Sequence, residues 1–496
     1  MEFSMRRDPG GRPCVPTHHP PYLLHTAAEA CLGTRRCSPP QRLGRGNRSA
    51  ACRRICPTCL TQGRLPTTIS LMDPRRSPYT PNPGTPPALL AGRADIRENF
   101  EIALDRLSMG RSANIPIITG GRGSGKTVIF DSLVNSARNK GWFVAAEEAI
   151  PGRDFKTLIA IMAHETLKEM SARHRVSEQI KRAFGILKAF ASISVGGIRL
   201  DIDVDAVTGT ADTGIIERDI RQLILELGKL ARSHSTGVLF ALDEAQAVPQ
   251  EQYSVLDSAL HAAARTGLPL SFLAAGLFPS WQVTGEGADR DPFSTTTPAS
   301  RSGVLRYIRL EPLNQLESRR VLELPAEAEG VAWKGDSLER ATQFCEGSPW
   351  MLQMVGEMAW ATASGEHIRS SDALVAISEV DKRLGEWFIP RLLRHLSDAD
   401  IAVLNAIAKA GGRNVHAGTL FGQLPFNPRG SLIEMARQDL IEIFWPYDRP
   451  GLRRDRAHFN ISITVPGLTR HAVKFAQSRL IDDADWSMPP NAGNGE

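Results

Sequence analysis

Apolar positions fall into three arrangements along this chain, and the arrangement changes at definable boundaries. Over residues 1–71 they follow no period of 2 or 3.6, which predicts a disordered extension. From 89 to 313, short continuous apolar runs alternate with helical patterns. Ile115-Pro116-Ile117-Ile118, Trp142–Ala145, Val238–Leu242, Leu268–Gly276 and Leu305–Leu310 read as buried strands. Between them, Ala94–Ser108 places Ile96, Phe100, Leu104 and Leu107 on one helical face. Further helices start near Thr127, stop before Gly141, run through Leu158-Ile159 and Ile161-Met162, through Ile180, Phe184 and Leu187, and over Glu217–Arg232. Ala191–Asp205 alternates around Gly196-Gly197 and predicts a β-hairpin insertion near 191–205. Its Asp201, Asp203 and Asp205 fit a solvated strand edge better than a Ca²⁺ site.

Residues 314–388 carry only helical patterns, and Gly347-Ser348-Pro349-Trp350 ends one helix and begins another. At Ser397 the pattern changes again. Ser397-x-x-Asp400 resembles a capping box opening Ile401–Ala410, with Gly411-Gly412 as the stop. A second helix is expected near Ala417–Gln423, and a third through Leu432, Met435, Ala436 and Leu440. Two strands follow, Ile441–Trp445 and Phe459–Val465. Three helices and a hairpin are winged-helix order. The predicted organisation is an extension over 1–71, a Pro-rich lead-in over 72–88, an α/β core over 89–313, a helical lid over 314–388, a winged helix over 389–480 and a disordered tail over 481–496.

Composition sharpens two boundaries. The net charge of +5 over 496 residues hides an asymmetry: residues 1–76 carry thirteen Arg and four acidic residues, net +9, and the remainder is net −4. Six of seven cysteines lie in the extension, at 14, 31, 37, 52, 56 and 59. Cys52-x-x-x-Cys56-x-x-Cys59 lacks the second tidy pair of a structural zinc site, even with Cys37, His18, His19 or His25 available. Met72 is read instead as the working start. Only Cys345 remains beyond it, which suits a reducing compartment. No apolar run is long enough for a membrane span, so a cytoplasmic protein is expected, with no membrane partner.

Candidate chemistry sits at two strand ends. Gly120-Gly121-Arg122-Gly123-Ser124-Gly125-Lys126-Thr127 follows a strand and opens a helix at Val128, matching the Walker A pattern. Its glycines allow backbone N–H groups to converge on phosphate oxygens, Lys126 reaches the β- and γ-phosphates of ATP, and Thr127 offers a hydroxyl to Mg²⁺. Asp243 and Glu244 end the strand Val238–Leu242, where a parallel sheet presents its ligand crevice. There Asp243 suits Mg²⁺ and Glu244 suits polarising a water. The expected wing holds Arg449, Arg453, Arg454 and Arg456, a basic loop suited to DNA phosphates. Glu434, Asp439 and Glu442 nearby temper that reading, and a protein-binding winged helix stays open.

From about Asn82 to Gln477, these residues together resemble the origin-recognition (replication-initiator) branch of AAA+ ATPases, closest to bacterial and archaeal forms that grade into the STAND class. The motifs carrying the likeness are Leu90-Ala91-Gly92-Arg93, Gly120–Thr127, Leu242-Asp243-Glu244-Ala245-Gln246, Ala274-Ala275-Gly276, Gly347-Ser348-Pro349 and the C-terminal order of elements. The resemblance implies that Arg93 and Pro349 also contact nucleotide, and that core, lid and winged helix reorient together. The chain departs from the pattern at Ala274-Ala275-Gly276, which lacks a polar sensor, and after Pro349, where no sensor Arg stands. Arg301 and Arg306 lie near the place of an arginine finger without clear register. Two functions are expected: a slow Mg²⁺-dependent ATPase acting as a nucleotide-gated switch, or a DNA-binding, initiator-like regulator in which ATP sets conformation without turnover. A protein partner or self-association is compatible with either.

Overall fold

In a computed structural model, which describes residues 72–174, 177–194, 204–277, 305–444 and 459–482, the five apolar runs pair side by side. β1 (Ile115–Thr119), β2 (Phe143–Glu148), β3 (Val238–Asp243), β4 (Leu270–Ala275) and β5 (Leu305–Arg309) form one sheet in the order β2-β3-β4-β1-β5. Every pairing is parallel. Parallel strands need crossovers, and the helical patterns supply them. α1 (Ala94–Ser108) and α2 (Lys126–Asn139) cover one face; α3 (Phe155–Arg173), α4 (Glu178–Ser194), α5 (Ile216–Ser233) and α6 (Gln250–Arg265) cover the other. Successive strand residues accordingly divide between two cores. Leu239 and Ala241 pack with α1 and α2, whereas Val238, Phe240 and Leu242 pack with α3–α6.

The expected hairpin insertion is overturned where it begins. Residues 191–194 continue α4, because Ile180, Ala183, Leu187 and Phe190 are buried at helical spacing and commit the segment to a helix. Residues 195–203, with Asp201 and Asp203, lie outside the described residues. Val204 to Ala206 form no strand: Val207 donates its N–H to Gly185 O at 2.9 Å, and Lys188 Nζ donates to Val204 O at 2.6 Å, so this stretch folds back on α4. Asp205 is exposed.

α7 (Gln315–Ala328), α8 (Ser337–Cys345), α9 (Pro349–Thr362) and α10 (Ser370–Arg383) form a helical layer after the sheet. Two strands of two residues, β6 (Ala332–Trp333) and β7 (His367–Ile368), pair in parallel between them. They are too short to leave a periodic signal in sequence. The Pro-rich lead-in is part of this layer. Met72 and Tyr79 are buried in its core; Tyr79 Oη donates to Leu322 O at 2.5 Å, and Trp360 Nε1 donates to Asp73 O at 3.0 Å.

A π-helical turn, Leu384–Phe388, and α11 (Ile389–Leu393) lead to the last group of elements. It comprises α12 (Asp398–Lys409), β8 (Val415–His416), α13 (Ala417–Gln423), α14 (Arg429–Arg437), β9 (Ile441–Phe444), β10 (Asn460–Ile463) and α15 (Leu468–Asp482). Ser397 and Asp400 make the reciprocal capping box at the start of α12. The three strands form an antiparallel sheet in the order β8-β10-β9. β8 was not expected; it gains its place by pairing with β10 beside the start of α13.

Candidate nucleotide-binding site

The turn between β1 and α2 is the loop expected from the glycines. Gly125 at its end has φ +89°, a left-handed value that a side chain would strain, and nothing else lies within contact of its Cα substituent. α2 begins at Lys126, so its first free N–H groups face the loop. Lys126 Nζ donates to Gly120 O at 2.8 Å and Gly121 O at 3.1 Å. Burial pulls the Lys126 ammonium below its ordinary range, against the attraction of nearby carboxylates. Desolvated cations of this kind bind anions strongly, because little water must be removed on contact.

Asp243 and Glu244 close the other side. Burial raises the Asp243 carboxyl above its usual range, opposed by hydrogen bonds from the Glu244 N–H and the Thr127 side chain. The Glu244 N–H reaches Asp243 Oδ1 at 2.8 Å. Thr127 and Asp243 thus present two hard oxygen donors together, a set that fits Mg²⁺. Glu244 has φ +48°, in the left-handed region disfavoured for a residue with a side chain. Its carboxylate accepts a hydrogen bond from Gln246 Nε2, and Gln246 Oε1 accepts from Leu277 N at 2.8 Å just past β4. Gln246 therefore fixes the Glu244 carboxylate to the end of β4.

A cavity of about 470 Å³ runs over this floor. Arg122 through Val128, Glu244, Arg93 and Pro349 all line it, so the structure brings together residues separated by more than two hundred positions. Gly120 and Gly121 stand behind the cradle and do not line this cavity. Arg93 is 9% exposed, and its guanidinium donates to Glu311 O at 2.6 Å, tying the lead-in to the segment after β5. Pro349 starts α9, whose N-cap Ser348 accepts from Met351 N; the next residue, Trp350, donates its N–H to Gly123 O at 3.3 Å. α9 thus touches the glycine loop directly.

The chain is similar to several known proteins. Residues 89–273 match the AAA ATPase domain. No curated protein matches the chain. Among solved structures, the ORC2 protein of Aeropyrum pernix, determined in ADPNP and ADP complexes, is 16% identical, with 83% of this chain and all of that one covered at a TM-score of 0.46. Cdc6p of Pyrobaculum aerophilum is 15% identical over 83% of this chain and 100% of its own, at a TM-score of 0.40. A Walker-type ATPase of Pyrococcus abyssi is 15% identical over 77% of this chain and 96% of its own, at 0.44.

Around the matched segment the structure adds residues that the sequence reading passed over. Gln246 was seen only as part of a motif, although its amide bridges Glu244 and the end of β4. Trp350 and Gln353 line the cavity from α9, and Thr80 and Asn82 line it from the lead-in. No spacing rule links such distant segments. Arg306 lies on β5 opposite Pro116 and lines a separate hollow with Asn99 and Arg106, away from the glycine loop. Arg301, Arg449, Arg453, Arg454 and Arg456 lie outside the described residues. No helix among the described residues is long and apolar enough to cross a membrane.

Proposed function

We propose that the chain binds ATP with Mg²⁺ in this cavity and hydrolyses it slowly, as a nucleotide-gated switch. The observation that carries this reading is the fixed position of Glu244. Its carboxylate, held by Gln246 in a backbone conformation costing roughly 1–2 kcal/mol, lines the same cavity as Lys126 and Thr127. Strain of that size at a cleft residue supports a chemical role for it.

In this reading the backbone N–H groups at the start of α2 and the Lys126 ammonium hold the β- and γ-phosphates. Thr127 and Asp243 would hold Mg²⁺, which when bound offsets phosphate charge. Glu244 accepts a proton from the attacking water, and Gln246 keeps it aimed. Arg93 and Pro349 border the nucleotide from the lead-in and the lid. The hydrogen bond from Trp350 N–H to Gly123 O connects the loop to α9 and gives the phosphates a route to bias the lid. The helices α12, α13 and α14 with the β8-β10-β9 sheet support a winged-helix reading of the C-terminal part.

Equilibrium binding of ATP with Mg²⁺ to the full chain tests the assignment. Lys126→Ala is expected to abolish measurable binding; tight ATP binding retained in that variant contradicts the site.

A further inference from the structure

The carboxylate that most strongly attracts Lys126 comes from neither Asp243 nor Glu244, but from Asp439 after α14. Asp439 reaches the cradle because the C-terminal elements dock on the glycine loop. A Cβ placed on Gly121 would stand 3.1 Å from Thr464 O, a tight contact, so the glycine eases the close approach of β10's exit. Thr464 N–H in turn donates to Leu440 O at 3.0 Å, and its hydroxyl donates to Asp439 O at 2.5 Å, which fixes the segment bearing the acid. Arg309, at the end of β5, pairs with Glu442 beside it.

Within this contact the Arg122 backbone N–H hydrogen-bonds the Asp439 carboxylate, and Arg122, Lys126 and Arg309 attract it. Its Oδ2 is buried without a hydrogen-bond partner. Local geometry does not account for the charge. Asp439 has φ +56° and follows α14 as a left-handed terminator, its N–H on Ala436 O and the next N–H on Met435 O. Asn or Gly would end the helix at least as well. Aspartate alone adds an anion beside a loop built for anions.

We infer that Asp439 is a counter-anion of the phosphate loop, which makes docking of the C-terminal elements and binding of the terminal phosphates of a nucleotide mutually unfavourable. Two like charges sharing Lys126 and the Arg122 N–H repel across a poorly solvated contact. A triphosphate therefore binds either against that repulsion or by expelling Asp439 with the elements that carry it. By reciprocity, the same phosphates loosen the docking by the factor that docking weakens their binding. This inference rests on the nucleotide reading of the cavity and names the device that would couple it to the rest of the chain.

The test uses the full chain with Asp439→Asn, which keeps size and backbone preference, and Asp439→Gly, which suits φ +56° without a side chain. ATP and AMP affinities are measured for each beside the wild type. Both variants are expected to bind ATP on the order of tenfold more tightly, within the usual 5–150-fold span of coupling between sites. AMP, lacking β- and γ-phosphates, should bind with unchanged affinity. ATP affinity that is unchanged or lower in both variants overturns the inference while leaving the nucleotide site intact. Failure of all three proteins to bind ATP removes both readings together.

Discussion

At the scale of single residues, conformation and charge separate what is structural from what is chemical. Glu244 and Asp439 both occupy left-handed backbone, yet neither turn requires a carboxylate there. Both acids attract Lys126. Burial raises the docked Asp439 to about 6, while Lys126, Arg122 and Arg309 pull it down. Released into water, it returns to the ordinary carboxylate range near 3.8. The docked form therefore binds a proton more tightly, so its stabilisation is full below the ordinary value and is lost as pH rises through about 6. The antagonism between ATP and docking should accordingly fade as pH falls through that value, because a protonated Asp439 no longer repels phosphate. The measurement is the ratio of ATP affinities of Asp439→Asn and wild type at pH 5 and pH 8. The ratio should approach one at the lower pH; a ratio independent of pH contradicts the account.

At the scale of elements, the lead-in is the informative case. Its prolines suggest a stiff spacer, whereas the structure uses Met72 and Tyr79 as core residues of the helical layer after the sheet. Gly356 on α9 leaves the space for the Tyr79 ring: a Cβ there would stand 2.5 Å from it. Tyr79→Ala should therefore cost about 3–5 kcal/mol, the range of large aromatic truncations, and lower the thermal midpoint of the full chain. A midpoint within about one degree of wild type contradicts that packing, since 1 kcal/mol is worth about 2–4 °C in domains of 150–250 residues. The five strands and α1–α5 were legible because each is long enough to display its period, and α1 presents the four buried residues its spacing indicates; α6, over Gln250–Arg265, was not read from the sequence. The Walker residues were legible because one continuous loop contains them. Gln246, Asp439 and the two-residue strands were not, since their roles depend on contacts with remote segments. Residues 191–194 misled for a different reason. Alternation over a few positions matched a strand, but the buried stripe begun at Ile180 carried the helix through them.

At the scale of the whole molecule, the glycine loop is where three parts meet. α9 touches it through Trp350, the C-terminal elements touch it through Thr464 and Asp439, and the sheet supplies Asp243 and Glu244. The exposed pair of Arg413 with Glu346, at 2.8 Å between the helical layer and the C-terminal part, is worth at most about 1 kcal/mol. The central claim is that this loop serves a slow hydrolytic cycle. It is tested most directly by single-turnover phosphate release from ATP with Mg²⁺ on the full chain, beside Glu244→Gln. The account predicts slow release by the wild type, and in the variant retained ATP binding with release slowed on the order of 100-fold or more, as for loss of a positioned base. Equal release by both proteins, or ATP bound and left intact by the wild type, would contradict it.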